Sequence, residues 1–537
     1  MRNRLSRRDF LKGTLAASAT LASMSLLGCA DASTGNGTTA EEKAAETTAA
    51  PENDKVVASY DEEYDVVVIG HGFAGAAAAI TAAQEGAQVL MLEKAPETAA
   101  GGNSRVCGQQ ILAPTDVERA ISYFDKIFEG YDYDKDLLRV TVEGMAQLGD
   151  WLKETFDPNM DLQDLMYPEF PEVEGSDTMR CYLIDGERTV GKLLNIMKGK
   201  LAEMTDQIHI YYESPAKELI QDAETKMIMG VLIEKEGQKL RIKANNGVVM
   251  ACGGYENNQK MIQNYFHFKY AYPKGSTYNT GDGIYMATKV NADLWHLNNP
   301  SGPDLNFKDP NSDVYYGYSL SMTFGSKSTI YVGPNGTRFI NESLMTRHGK
   351  HNIHGSWQTV PTVLPAYAIF DEAVFTAGPI NSVAWSEDNT AELAKGWIKK
   401  ADTLEELAAL INVSPENLGK TVARYKFYCD QGEDYEFNRS AATLIPLSEV
   451  GPYYAMELTP TLTNTQGGAV RNANCEVVDI DGYAIPHLYS AGEFGSMYVH
   501  GYNGGGNVGE ALATGRIAGK NAAIRDKSQI PVISTGY

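Results

Sequence analysis

The segment that most constrains this chain is residues 64–94, YDVVVIGHGFAGAAAAITAAQEGAQVLMLEK. Residues 65–69 carry a β-branched run that predicts a strand buried on both faces, as in a parallel sheet. Gly70, Gly72 and Gly75 follow at GxGxxG spacing, and the alanine-rich residues 74–85 predict a helix. Residues 88–92 predict a second strand, which Glu93 ends. Each glycine has its own work. Gly70 makes a turn closed to a residue with a Cβ, Gly72 lets the backbone approach a pyrophosphate, and Gly75 lets the helix lie close on the sheet. The helix N-terminus then offers unpaired N–H groups and partial positive charge to phosphates. Glu93 stands 18 residues after Gly75, where an acid binds ribose hydroxyls. The triplet alone would be an ordinary glycine turn. Strand, turn, helix, strand and acid together specify dinucleotide binding.

A second glycine-rich helix start lies hundreds of residues on. Residues 486–493 predict a short strand ending in Glu493, and Gly504-Gly505-Gly506-Asn507 precedes a helix expected over residues 510–523. A nicotinamide dinucleotide has no need of this second turn. A flavin does, because its ring lies far from its adenine and a helix N-terminus aimed at the ring stabilises the anionic reduced form.

The N-terminus belongs to targeting, not to the fold. Ser6-Arg7-Arg8-Asp9-Phe10-Leu11-Lys12 reads as a twin-arginine export signal, with residues 13–27 as its apolar stretch. Leu26-Leu27-Gly28-Cys29 resembles a lipobox, with Cys29 as the lipid-bearing residue. Residues 1–30 are thus expected to be a signal peptide and 31–61 a disordered tether rich in Ala, Thr, Glu and Gly. The net charge of −23 argues against nucleic acid and against anionic membrane surfaces as partners. Five cysteines follow Cys29 without CxxC, CxxCH or any metal-ligand spacing, so no haem, iron–sulfur cluster or structural zinc is expected.

Between the two glycine turns, Gly101-Gly102-Asn103-Ser104 reads as a loop passing close to the cofactor. Residues 116–156 predict helices. Residues 208–212 predict a strand, and 216–221, 227–234 and 239–243 a small antiparallel sheet. Residues 248–251 predict another buried strand before Cys252-Gly253-Gly254-Tyr255, and Thr280-Gly281-Asp282-Gly283 opens a helix. Residues 329–341 read as two strands around a Pro334-Asn335-Gly336 turn. Thr403 with Glu406 predicts a capping box, and Ser414-Pro415 a second helix start.

In order and over residues 64–523, the motifs DVVVIGHGFAG, LEK, GGNS, ACGGY, TGDG, GTRFINE, GGA, YSAGE and GGGN resemble the fumarate reductase/succinate dehydrogenase flavoprotein family. They resemble most its soluble, exported branch, with flavocytochrome fumarate reductases, urocanate reductase and ketosteroid dehydrogenases. The resemblance implies an α/β fold in which a Rossmann-like FAD-binding domain, residues 62–295 and 457–530, is split by an inserted α+β capping domain over 296–456. It implies FAD contacts at Gly70, Gly72, Phe73, Ala74, Gly75, Glu93 and Lys94 around the first turn. Further contacts are implied at Gly101, Gly102, Asn103, Ser104, Ala216, Gly253 and Asp282, and at Glu493, Asn507 and Val508 around the second. The covalent relatives attach flavin through a histidine just before the glycines. Ala99 and Ala100 stand there, so FAD is expected to be non-covalent.

The family reaction is reduction of an activated C=C bond, or its reverse. Hydride goes to one carbon and a protein acid protonates the other. By motif that acid is Arg347, after Arg338-Phe339-Ile340-Asn341-Glu342. An arginine keeps its proton across ordinary pH, so it needs a relay to act as an acid. The chain departs from dicarboxylate reductases at three places, one of them the cap around Met322, where the relay carboxylate of those enzymes has no equivalent. Thr463-Asn464-Thr465-Gln466 replaces a histidine-bearing loop, and Gly504 follows His500-Gly501-Tyr502-Asn503 where an arginine is usual. Those groups clamp a carboxylate, so fumarate is not expected as the substrate. Tyr498 and Tyr502, with Tyr331 from the cap, leave an aromatic site suited to flat molecules, and Tyr498 and Tyr502 are the candidate catalytic hydroxyls that donate to a substrate carbonyl. His500 is read as a structural contact. The expectation is an exported, FAD-dependent reductase of an enone, aryl acrylate or steroid-like small molecule. Its electrons would come from a separate quinol-linked or cytochrome partner. The alternatives are a ketosteroid-type dehydrogenase whose tyrosinate removes a proton, and a non-catalytic flavin-bearing protein that binds a ligand or relays electrons.

Overall fold

Strand β1, Glu62–Ile69, sits inside an eight-stranded sheet and has no solvent-facing side over its last four residues. Val66 and Val68 join the core on one face, and Val67 and Ile69 the core on the other. That double burial is what an unbroken β-branched run encodes. The computed structural model describes residues 59–309, 315–316, 324–344, 346–353, 355–381 and 385–530. The twin-arginine segment, Cys29, the tether up to residue 58 and Met322 lie outside the described residues.

Helix α1, Phe73–Gln84, returns the chain to strand β2, Val89–Leu92, which pairs parallel with β1. Strand β3, Ile208–Tyr211, extends the sheet beyond β2. On the opposite side of β1 come strand β4, Gln238–Met250, and strand β5, Ala484–Ser490, both parallel to their neighbours. The order β5-β4-β1-β2-β3 reverses direction at β1. Ligands of open α/β sheets bind in the crevice at such a reversal, beyond the carboxyl ends of the strands. Helix α2, Gly506–Ala523, packs on α1 through small residues. A Cβ on Gly515 would lie 2.5 Å from the carbonyl oxygen of Ala74, and one on Gly519 would lie 2.2 Å from that of Ala78.

A second sheet is built around Tyr453–Leu462, which pairs antiparallel with Asp304–Lys308, Ala366–Asp371 and Ile398–Ala401. It has its own core, including Phe307, Phe370, Tyr454 and Met456. The Thr403/Glu406 capping box is present, and Ser414 caps the helix Pro415–Gln431.

Four expectations need correction. Strand β5 ends at Ser490, so Glu493 lies in the turn beyond it and does not end the strand. Residues 239–243 and 248–251 are one strand, β4, because its register against β1 slips between Tyr64 and Val66 and so carries the pairing past Asn245. The second strand after Gly336 is reduced to a single bridge between Val332 and Arg338. Arg338 leaves the ladder to pair with Glu342 and Asp434. Helix α2 begins at Gly506, four residues before the expected Glu510.

Candidate active site

The turn after β1 is forced by contact. Gly70 has φ +113°, and a Cβ there would lie 2.2 Å from the carbonyl oxygen of Ala251 at the end of β4. Gly75 lies against the same turn, its absent Cβ 1.9 Å from the Gly70 carbonyl oxygen. Helix α1 therefore starts hard against the sheet. Its N-cap, Gly72, brings no side-chain acceptor, and its first turn holds no acid. Helix α2 starts in the same way from Gly505. Both starts open into one cavity, lined by Gly72, Phe73 and Ala74 on one side and Gly505, Asn507 and Val508 on the other. Ser104 accepts the N–H of Phe73 at 2.9 Å, but two acid-free helix starts facing one crevice still favour a ligand carrying negative charge at two separated points.

The rest of the wall is polar. Glu93 accepts the N–H of Ala95 at 2.8 Å, and Lys94 donates to Thr280 and Asp282, both at 2.6 Å. Asn103 joins two buried carboxylates, donating to Glu256 at 2.7 Å and to Glu493 at 3.4 Å. Burial pushes both carboxyl pKa values up, and the charge of Glu256 pushes Glu493 higher still. Among the described residues, several buried polar atoms of the wall have no protein partner: both ring nitrogens of His71, both side-chain polar atoms of Asn464, and Nε2 of Gln110. Buried polar groups are otherwise almost always paired, so these atoms fit a polar ligand. Burial holds His71 down at about 4, which leaves it neutral at ordinary pH.

A smaller pocket adjoins this cavity, and His348 and Tyr502 line both. Its walls include Phe170, Trp357, Arg347 and Lys350. Arg347 is bidentate to Glu172, at 2.6 and 3.2 Å, and lies over the rings of Phe170 and Trp357. His348 bonds Glu169 at 3.0 Å, and Glu169 also accepts the N–H of Gly504 at 2.7 Å. One carboxylate thus ties the small pocket to the glycine turn before α2.

Every cofactor position expected from the sequence lines the large cavity except Gly75, which packs behind it. The expected catalytic residues are dispersed. Tyr502 lies at the junction of the pockets, and Arg347 lines only the smaller one. Tyr498 lines neither; it is fully buried among Phe124, Phe128 and Tyr502. Tyr331 is buried in the core of the second sheet. His500 stacks on Tyr131 at 4.8 Å and donates to the carbonyl of Trp357 at 2.9 Å. Sequence reasoning missed His348, Lys350 and Glu169. The available signal was the His348-Gly349 pair, a two-residue turn that brings Arg347 and Lys350 together.

Residues 65–509 match the FAD binding domain family, and the chain belongs to it. A vinyl phenol reductase of Lactiplantibacillus plantarum is 28% identical over 86% of this chain and 97% of its own length. A urocanate reductase of Eggerthella lenta is 28% identical over 86% of this chain and 75% of its own. The 3-ketosteroid Δ1-dehydrogenase of Sterolibacterium denitrificans, solved with 1,4-androstadiene-3,17-dione, superimposes with a TM-score of 0.69 at 22% identity. That likeness covers 86% of this chain and 99% of the solved one. The chain is an FAD-dependent oxidoreductase with the fold that its motifs imply.

Proposed function

We propose that this member of the FAD binding domain family reduces an activated C=C bond in a flat, conjugated small molecule such as an enone or an aryl acrylate. The carrying observation is the aromatic and cationic wall of Phe170, Trp357, Arg347 and Lys350, which meets the cofactor cavity at His348 and Tyr502; the small pocket itself admits only about 20 Å³, so the substrate ring would lie in the larger cavity against that wall. When bound, FAD supplies a hydride to one alkene carbon. This chain's residues position the alkene, exclude water and bring a proton to the other carbon. Gly70, Gly72 and the start of α1 would hold the pyrophosphate, Glu93 the ribose, and the start of α2 the ring. With Ala99 and Ala100 before the glycines, we take the FAD to be held without a covalent bond.

Burial pushes the phenols of Tyr498 and Tyr502 up, far from ionisation at neutral pH. Neither is poised as the tyrosinate base of the oxidative alternative, which favours reduction. Vinyl phenol and urocanate, named for the two relatives, both carry a C=C bond conjugated to a flat ring. The neutral Thr463 and Asn464 at the cavity wall offer no clamp for a second carboxylate, which argues against fumarate. We take Arg347 as a substrate-facing residue of the small pocket, and the second sheet as the capping domain.

The twin-arginine segment supports export, and Cys29 a lipid anchor. Outside the cytoplasm a nicotinamide donor is not expected, so a separate quinol-linked or cytochrome partner would deliver electrons. Steady-state assays with reduced methyl viologen as artificial donor test the reaction. Enones or aryl acrylates should be consumed and fumarate left. Consumption of fumarate alone would contradict the reading. Arg7→Lys with Arg8→Lys should keep the protein in the cytoplasmic fraction; unchanged export would remove the twin-arginine assignment.

A further inference from the structure

Arg347 and Lys350 close a two-residue hairpin turn. The N–H of each meets the carbonyl of the other, at 2.8 and 3.1 Å, and both central residues, His348 at φ 47° and Gly349 at φ 75°, are left-handed. Residues paired in this way project to the same side of the hairpin. Both side chains accordingly line the small pocket. Their environments differ. The Arg347 guanidinium is already engaged by both oxygens of Glu172 and by two aromatic faces. Lys350 is buried, and its Nζ makes one hydrogen bond among the described residues, to the carbonyl of Pro300 at 2.7 Å. An ammonium has three N–H bonds to give.

We propose that Lys350 is the acid that protonates the substrate carbon where this pocket meets the cofactor cavity, while Arg347 holds the substrate in place. The inference rests on the reductase reading above. As hydride adds to the carbon β to the activating group, an Nζ–H bond of Lys350 breaks and a C–H bond forms at the α-carbon. The neutral amine then regains a proton from water. The charges around Lys350 suit this cycle. Burial is the largest influence and opposes Glu169 and Asp304, leaving the amine at about 7. Asp304 is itself paired with Lys274 and hydrogen-bonded by Thr346, Glu169 is bonded to His348, and Glu172 answers Arg347. His500, pushed down to about 4 by burial, adds no charge near neutrality. An acid titrating near the working pH is the kind that both gives and regains a proton readily.

The test is single-turnover reoxidation of the reduced holoenzyme by an enone or an aryl acrylate, followed on both sides of about pH 7. The wild-type rate should fall as pH rises through that value, because the amine is protonated below it and neutral above. Lys350→Arg, which keeps a cation, should carry the fall to higher pH. Lys350→Met should slow the step by about 100-fold or more and flatten the profile. Flavin absorbance of both variants should equal wild type, showing that they fold. If all three proteins share one pH profile, Lys350 is not the acid. If wild type is not reoxidised by any alkene, the reductase reading fails first, and this inference with it. A second readout needs no turnover. An amine whose folded pKa is lowered binds a proton more readily in the unfolded chain, so its cost to stability is full below about 7 and fades as pH rises toward its unfolded value. The melting-temperature difference between Lys350→Met and wild type should therefore change with pH over that window. A constant difference would overturn the titration on which the acid depends.

Discussion

At the scale of single residues, the chain's ion pairs are of two kinds. Arg338, Glu342, Asp434 and Arg439 form a network with side chains at most 1% exposed where Glu342 meets both arginines, and Arg338 extends it to the partly exposed Glu436. Removing one member strands the others away from water, at a cost of about 3–5 kcal/mol. Glu342→Ala is therefore expected to lose about that much in denaturant unfolding, whereas Glu118→Ala at an exposed pair should leave stability nearly unchanged. The Glu256–Glu493 pair behaves differently. Both carboxyl groups have folded pKa values raised above 4.5, so the folded chain holds protons that the unfolded chain has released. Stability is then lost as pH rises above the unfolded value. Glu256→Gln removes one of the two carboxylates and should flatten that loss in a pH series of thermal melts. An unchanged slope would show that the pair does not share its charge. At this scale the sequence spoke through motif position. It identified Asn103 and Glu493 by their places in GGNS and YSAGE, but not Glu256, whose importance comes from a carboxylate contributed 237 residues away. Lys350 was hidden for a related reason: burial, not spacing, sets its chemistry.

At the scale of elements, the strongest local signals translated directly. The β-branched run became β1, the alanine run α1, and the Thr403/Glu406 and Ser414-Pro415 starts became capped helices. Each is dictated by neighbours within a few residues. The misses came where distant chain overrode local preference. Asn245-Asn246-Gly247 looks like a break, yet pairing with β1 resumes at Gly247 after a one-residue slip and β4 continues past it. Packing of α1 on α2 makes the sharpest prediction at this scale. Gly519→Val would drive a side chain into the backbone of Ala78, 2.2 Å from where its Cβ must sit, with no flexible group to yield. The variant should be recovered with little bound FAD and a clearly lowered melting temperature. Gly199→Val, at an exposed helix position with open space, should match wild type.

At the scale of the whole molecule, two helix starts far apart in sequence meet at one cavity because the sheet reverses direction at β1. The glycine turns were legible in the sequence; their meeting depends on topology, which no local pattern states. FAD that binds only the folded chain stabilises it by mass action. Stripping the cofactor should lower the melting temperature, and added FAD should restore it. Acid precipitation should release all the flavin into the supernatant if attachment is non-covalent; flavin left on the peptide would contradict that. The most direct test of the central claim is anaerobic. The holoprotein is reduced with dithionite, freed of excess reductant, and mixed with an aryl acrylate or an enone while flavin absorbance is followed. The account predicts that one equivalent of alkene restores the oxidised spectrum and yields the saturated product. Flavin that stays reduced with every alkene, or oxidised flavin that is bleached by the saturated ketone instead, would contradict it.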